Sequence, residues 1–249
     1  MLKKDKGICI RTTDYSETSQ ILTFFTADTG KLSLIAKGAK RPKSSFGGPV
    51  QLLTAGDMVF SVRDGEKLGT LTEFNPTFFS SALRKKLFAL NCALFVAELL
   101  NLFTKELDAH RVIFDQAVIF LQKLDEDADN KVLASLIFFE FTILKETGSQ
   151  PVFDRCINCK RNFDTSWKQC CFSASANGFL CRDCEAAFVD KRTINTETAE
   201  YLSQPQNIPQ AKRSVLVLIQ NLLIEYITHI LERPPRTAAT ILRLINTPK

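Results

Sequence analysis

The hydrophobic period of this chain changes once, near residue 78. Before that point Gly7 to Arg11, Gln20 to Thr26, Lys31 to Lys37, Asp57 to Arg63 and Lys67 to Phe74 read as short strands, with a period near two. These stretches are rich in Ile, Val, Leu, Phe and Thr, and turn residues such as Asp28-Thr29-Gly30 and Asp64-Gly65 bound them, the pattern of half-buried strands. Five short strands with one long connection, Gly38 to Gly56, predict a small Greek-key barrel of the OB type, a frequent binder of single-stranded nucleic acid. Strand number alone equally allows an SH3-like barrel.

From Phe78 the period lengthens to about 3.6. Leu83, Leu87, Leu90 and Leu94 form one stripe; Ile113, Ala117, Phe120 and Leu124 a second; Leu133, Ile137, Phe141 and Leu144 a third; Val215, Leu218, Leu222 and Tyr226 a fourth. Each predicts a helix that buries one face against its neighbours, a bundle core rather than a cofactor pocket. Gly148 and Pro151 stop the third helix, a cysteine-bearing segment follows, and Pro234-Pro235 ends the fourth before a last short helix from Arg236 to Ile245. The expected fold class is multi-domain α+β: an OB-fold over residues 1–77, then an α-helical domain over 78–249 carrying an insertion at 151–190.

That insertion holds the strongest chemical signal. Cys156-Ile157-Asn158-Cys159 is followed, 21 residues on, by Cys181-Arg182-Asp183-Cys184. Each C-x-x-C turn brings two sulfurs to one side of a tight loop, and two turns facing each other supply the tetrahedral set that structural zinc takes. Cys156, Cys159, Cys181 and Cys184 are therefore the expected ligands of a zinc ion, with Cys171 of the Cys170-Cys171 doublet as a substitute ligand. A redox dithiol would need one pair beside a β-α-β pattern, and disulfides would need an oxidising compartment. Four thiolates close the shell, whereas catalytic zinc keeps a position open. The two histidines, His110 and His229, sit in neither H-E-x-x-H nor H-x-E, and no Walker, G-x-S-x-G or GxGxxG motif occurs. No enzymatic activity is expected.

Composition narrows the class further. With 45% hydrophobic and 24% charged residues in 249, the chain is long and apolar enough for real cores, which excludes disorder. Uncharged apolar runs such as Leu87 to Ala97 fall short of a membrane span, and the basic start is interrupted at Arg11, unlike a secretory signal. A cytoplasmic protein with no membrane partner is expected. The net charge of +5 is mild, but its placement is not uniform. Between Asp28 and Asp57 stand Lys31, Lys37, Lys40, Arg41 and Lys43 and no acidic residue. Four of these crowd into Lys37-Gly38-Ala39-Lys40-Arg41-Pro42-Lys43, where they can neutralise phosphates without reading sequence. A solvated loop whose charge aids solubility is the plain alternative. Phe46, in the Gly-rich loop beside them, is expected to be exposed and to stack on a base, while Phe24, Phe25 and Phe60 alternate within strands as core.

Particular residues also carry a family resemblance. Gly7-Ile8-Cys9-Ile10-Arg11, Asp14-Tyr15-Ser16-Glu17-Thr18, Phe25-Thr26, Gly30-Lys31-Leu32 and Ala36-Lys37-Gly38-Ala39-Lys40 to Ser44 look like the N-terminal signature of the bacterial recombination mediator family RecO. Gly148-Ser149-Gln150-Pro151 before Cys156, Gly178-Phe179-Leu180 before Cys181, and Tyr226 to Glu232 resemble the zinc-bearing members. Pro49-Val50-Gln51-Leu52-Leu53 departs from the family in lacking an aromatic residue. The resemblance implies an OB-fold, a helical domain with a zinc insertion, and binding of single- and double-stranded DNA without turnover. It further implies strand annealing, a complex with RecR, contact with the C-terminal tail of single-stranded DNA-binding protein (SSB), and indirect help to RecA in DNA repair at the nucleoid. Lys37, Lys40, Arg41 and Lys43 become DNA contacts, and Lys212, Arg213, Arg233 and Arg236 a basic rim for the SSB tail. A zinc-stabilised accessory factor using the same barrel on RNA is the second reading.

Overall fold

Strand β1 (Leu2–Asp14) pairs along one edge with β2 (Gln20–Thr26) and along the other with β4 (Ala55–Ser61) in this computed structural model, which describes residues 2–41, 44–62 and 68–247. β2 runs antiparallel to β3 (Lys31–Ala36), β3 runs parallel to β5 (Leu68–Phe78), and β5 returns antiparallel to β4, so the sheet closes. A register shift between Cys9 and Arg11 bends β1 enough to serve both neighbours. Leu22, Phe24, Leu34, Met58, Phe60 and Phe74 fill the barrel, with the Phe24 and Phe74 rings 5.2 Å apart. This is the five-stranded OB-type closure, and it removes the SH3-like alternative. The ends of two expected strands, Arg63 and Lys67, and the Asp64-Gly65 turn lie outside the described residues.

Strand gives way to helix after Phe78, near the expected boundary, but the compact units divide elsewhere: Met1–Asp127 and Ala128–Lys249. The first unit therefore includes α1 (Ala82–Lys85), α2 (Leu87–Phe103) and α3 (Arg111–Lys123). Phe25 of β2 meets Phe114 of α3 at 6.3 Å. The expected second stripe, from Ile113 to Leu124, is buried throughout. The first stripe is not. Lys86 is extended and separates α1 from α2, which resets the helical phase and leaves Leu87 exposed while Phe88, Cys92, Phe95 and Leu99 are buried.

Two lysines of this unit close helix C-termini. Lys86 Nζ donates to the carbonyls of Leu124, Asp125 and Asp127 beyond α3, at 3.1–3.2 Å. Lys31 Nζ donates to the carbonyls of Asn101 and Thr104 at the end of α2, at 2.6 Å each. Burial lowers the Lys31 pKa, with the Glu106 carboxylate opposing the shift. An ammonium in each place satisfies carbonyls that the helix leaves over and complements its dipole. Gly30, at φ +86, makes this approach of β3 possible, since a Cβ there would collide with the Asp108 carbonyl.

In the second unit α4 (Asp129–Glu146) packs on α6 (Arg213–Leu231), with α5 (Thr196–Ser203) and α7 (Ala238–Asn246) against α6. The third expected stripe is buried, as is the fourth except Leu218. α6 is 19 residues long with mean hydropathy 1.6, enough to span a bilayer by length and composition. Half of it is buried inside the protein, as befits the core helix of a bundle. Between α4 and α5 the chain forms a four-stranded sheet, order β6-β8-β7-β9, from β6 (Val152–Cys156), β7 (Cys170–Ser173), β8 (Gly178–Cys181) and β9 (Arg192–Ile194). These strands, of three to five residues, are too short to show a period in the sequence. Phe153 joins the sheet to the helices: its ring lies 5.8 Å from Phe141 of α4, 5.8 Å from Phe172 and 5.0 Å from Phe179. Phe172 in turn meets Tyr226 of α6 at 5.7 Å.

Between α4 and α6 lies a fully buried polar pair. Gln220 Nε2 donates to Glu140 Oε1 at 2.8 Å, while Glu140 Oε2 and Gln220 Oε1 have no partner among the described residues. Burial pushes the Glu140 carboxyl well above the usual range, against the Gln220 hydrogen bond. A protonated Glu140 avoids a buried charge and turns one of two orphaned acceptors into a donor.

Two stability tests follow from these contacts. Lys31→Ala leaves two helix-end carbonyls without their donor and should cost the first unit about 1–2 kcal/mol in urea denaturation; unchanged stability would refute the capping role. Glu140 has its folded pKa raised, so its contribution is full below the unfolded value of about 4.3 and is lost as pH rises towards the folded value. Wild type should therefore lose about 1.4 kcal/mol per pH unit relative to Glu140→Gln over that interval. Parallel stability profiles for the two proteins between pH 5 and 7 would mean that Glu140 folds ionised.

Candidate functional site

Two sites emerge, one in each unit. In the second, β6 ends at Cys156 and β8 at Cys181, and each strand runs into a tight turn. The Lys160 N–H bonds the Cys156 carbonyl at 2.9 Å, with Lys160 in the left-handed region, and the Cys184 N–H bonds the Cys181 carbonyl at 3.0 Å. Parallel pairing of β6 with β8 brings the two turns side by side. The sulfurs of Cys156, Cys159, Cys181 and Cys184 all lie within 4.8 Å of one another. A tetrahedron with metal–sulfur bonds of about 2.3 Å has edges of about 3.8 Å, and the Cys159 and Cys181 sulfurs are 3.8 Å apart. The donor set therefore fits a thiophilic tetrahedral cation.

Electrostatics agree with that fit. Burial pushes the Cys156 thiol up, but backbone N–H groups of Cys159, Cys181 and Asn158 outweigh it and bring the pKa down to about 7. Asn158 lowers Cys184, yet burial and hydrogen bonds with the other three sulfurs carry it up to about 11. Four thiols this close cannot all ionise without a cation among them. Cys171 stands apart from the set: its sulfur donates to Glu185 Oε2 at 2.7 Å and meets Thr193. Cys170 is buried opposite Cys181 across β7 and β8, and desolvation lifts its thiol to about 12. Arg161 bonds Asp183 at 2.7 Å and lies 5.6 Å from the centre of the Trp167 ring, which packs against the sulfur cluster.

The candidate nucleic-acid face belongs to the barrel. After β3 the chain turns at Gly38 (φ +71), and the Arg41 N–H closes the turn on the Gly38 carbonyl at 3.0 Å. Ala39 is fully buried and pins the turn to the core, which leaves Lys37 and Arg41 exposed. Lys40 is half-buried, with its ammonium 2.6 Å from Asp14 Oδ1. Its N–H bonds the Thr18 carbonyl at 3.0 Å, and the Gly38 N–H bonds Ser19 Oγ at 3.2 Å. The basic turn is thus tied to the β1–β2 loop. Nothing local in the sequence marks Asp14 as the partner of a lysine 26 positions away. Lys43 lies outside the described residues.

Two expected contacts are corrected. Lys31 is committed to the end of α2 and is not a free cation. Phe46 is not an exposed platform: it is 9% exposed and packs with Ala39, Val50 and Phe74. The left-handed glycines that follow, Gly47 (φ +69) and Gly48 (φ +129), fold the loop back so that the ring turns inwards. The outer edge of Phe46 only helps to wall a cleft of about 270 Å³ with Val50, Phe74, Phe79 and Arg84. Of the expected rim cations, Lys212 is 3.7 Å from Glu197, and Arg213 bonds Asn130 Oδ1 at 3.1 Å and the Ile245 carbonyl at 3.4 Å.

Comparison with known proteins bears on both units. The family model described as Recombination protein O N terminal matches residues 1–78, and that described as Recombination protein O C terminal matches residues 84–239. A DNA repair protein RecO of Rhodopirellula baltica is 30% identical over 238 residues, covering 96% of this chain and 84% of its own. Those of Halalkalibacterium halodurans and Bacillus cereus strain AH187 are 35% and 34% identical over 184 and 181 residues, covering 74% and 73% of this chain and 69% and 70% of theirs. With both halves of the chain matched and the barrel and cysteine cluster in place, the chain belongs to the RecO family of DNA repair proteins.

Proposed function

We propose that this protein is a non-enzymatic recombination mediator that binds single- and double-stranded DNA through its barrel and anneals complementary strands. The observation that carries the reading is the exposed pair Lys37 and Arg41 on a turn held rigid by Ala39 and by the β1–β2 loop. Rigid cations at fixed spacing neutralise phosphates and release counterions without reading bases. Annealing then needs no bond-making group: two strands held on one basic surface meet at raised local concentration, their repulsion is reduced, and base pairing supplies the free energy. Lys40 joins the contact only by leaving Asp14, and Lys43 extends the same basic run. Membership of the family supports RecR as a complex partner, the SSB tail as a contact of the helical unit, and RecA loading as the outcome. Cytoplasmic, nucleoid-associated work follows from those partners.

The four-cysteine cluster is assigned to structural zinc, held by Cys156, Cys159, Cys181 and Cys184. When bound, the ion cross-links β6 to β8, and Phe153 transmits that anchorage to the helices. Its four sulfurs leave no position for substrate, so its role is to hold the fold.

Anisotropy of a labelled single-stranded oligonucleotide across a salt series tests the first assignment. Wild-type affinity should fall steeply with salt, and Lys37→Ala/Arg41→Ala should flatten the log–log slope by about 1.4. Equal slopes would place the DNA surface elsewhere. For the metal, wild type should carry one zinc per chain, and Cys156→Ser should lose it and unfold much of the second unit, since structural zinc contributes on the order of 10 kcal/mol in small peptides. A variant with wild-type melting and full metal content would refute the ligand set.

A further inference from the structure

Burial of Phe46 leaves the barrel without the aromatic expected beside its cations, and another side chain stands in that place. Tyr15, in the β1–β2 loop, is 62% exposed, more than any other aromatic residue among those described. A lone exposed ring is ordinary on a protein surface and carries nothing by itself; its mounting does. The Tyr15 and Ser16 N–H groups bond the Ser19 carbonyl at 3.1 and 3.3 Å, and Ser16 Oγ accepts from the Ser19 N–H at 3.1 Å. The loop is then lashed to the basic turn by Lys40 N–H to the Thr18 carbonyl, Gly38 N–H to Ser19 Oγ, and the Asp14–Lys40 ion pair.

The geometry points to Tyr15 as a stacking platform for an unpaired nucleobase, working beside the phosphate contacts of Lys37 and Arg41; this rests on the DNA-binding reading of the barrel. A ring on a pinned backbone has little freedom left to lose on binding, and an aromatic face accepts any base. Asp14 and Glu17 stand on either side of it in sequence. Their carboxylates disfavour phosphate there, so the ring adds affinity through a base and not through charge. In a duplex both faces of each base are already stacked. Tyr15 therefore favours single strands, while Lys37 and Arg41 serve both forms.

The test uses the full chain and two probes, a labelled single-stranded oligonucleotide and its duplex, each titrated across salt. Tyr15→Ala should weaken single-strand binding by roughly 5- to 150-fold with unchanged salt slope, and leave duplex binding as in wild type. Tyr15→Phe should keep wild-type affinity. Tyr15→Leu, which retains apolar bulk without a π face, should behave as Tyr15→Ala. An equal loss on both probes, or wild-type binding by Tyr15→Leu, overturns the platform. If Lys37→Ala/Arg41→Ala weakens both probes while Tyr15→Ala changes neither, stacking is wrong and the DNA-binding reading stands. If wild type binds neither probe at low salt, both fall together. Melting curves of the Tyr15 variants should match wild type; a loss of binding accompanied by a lowered melting temperature assigns Tyr15 to the fold instead.

Discussion

Because β1 hydrogen-bonds β2 along one edge and β4 along the other, the five-stranded sheet has no open edge. Closure fixes which loops share a rim, and it sets the β1–β2 loop against the turn that follows β3. Neither segment has a regular ladder of its own: one is a five-residue connection, the other a glycine turn carrying three like charges. Joined through Thr18, Ser19 and Asp14, they form one ordered surface. The cations are presented in fixed positions because Ala39 is inside the barrel, so the apolar core and the proposed ligand surface are two sides of the same four residues.

The second unit solves a different problem. Its inserted sheet has strands of only three to five residues, too little apolar area for a core of its own. It is held from two directions. Four sulfurs gather the ends of β6 and β8, and a chain of phenylalanines from Phe141 through Phe153 and Phe172 to Tyr226 seats the sheet on the helices. Tyr226 also donates its hydroxyl hydrogen to the Ser149 carbonyl at 2.7 Å, tying α6 to the start of the insertion.

Much of this was legible beforehand, and what was not has identifiable causes. Alternation in β2 and β3 and the stripes of α3 and α4 fixed those elements, since burial on one face leaves a period in the sequence. The paired C-x-x-C spacing located the sulfur cluster for the same reason: local turn geometry dictates the spacing. Phase was lost where Lys86 breaks the helix, because the break is made by tertiary hydrogen bonds to Leu124, Asp125 and Asp127 and not by a local breaker. Lys31 misled because charge read along a chain does not show the carbonyls it will meet 70 residues later. Phe46 misled for a related reason. It lies in a polar loop, and only the backbone path through Gly47 and Gly48 turns its ring inwards.

The chain has a single tryptophan, Trp167, and it packs against the sulfur cluster with its indole N–H donating to the Asn162 carbonyl at 3.1 Å. The protein therefore carries a native optical reporter confined to one unit. Tryptophan emission responds to the environment of the cysteine turns and is silent about the barrel, whose described residues contain Tyr15 as their only tyrosine. Loosening of the sulfur cluster can thus be followed by itself in the unmodified protein, through the indole fluorescence alone.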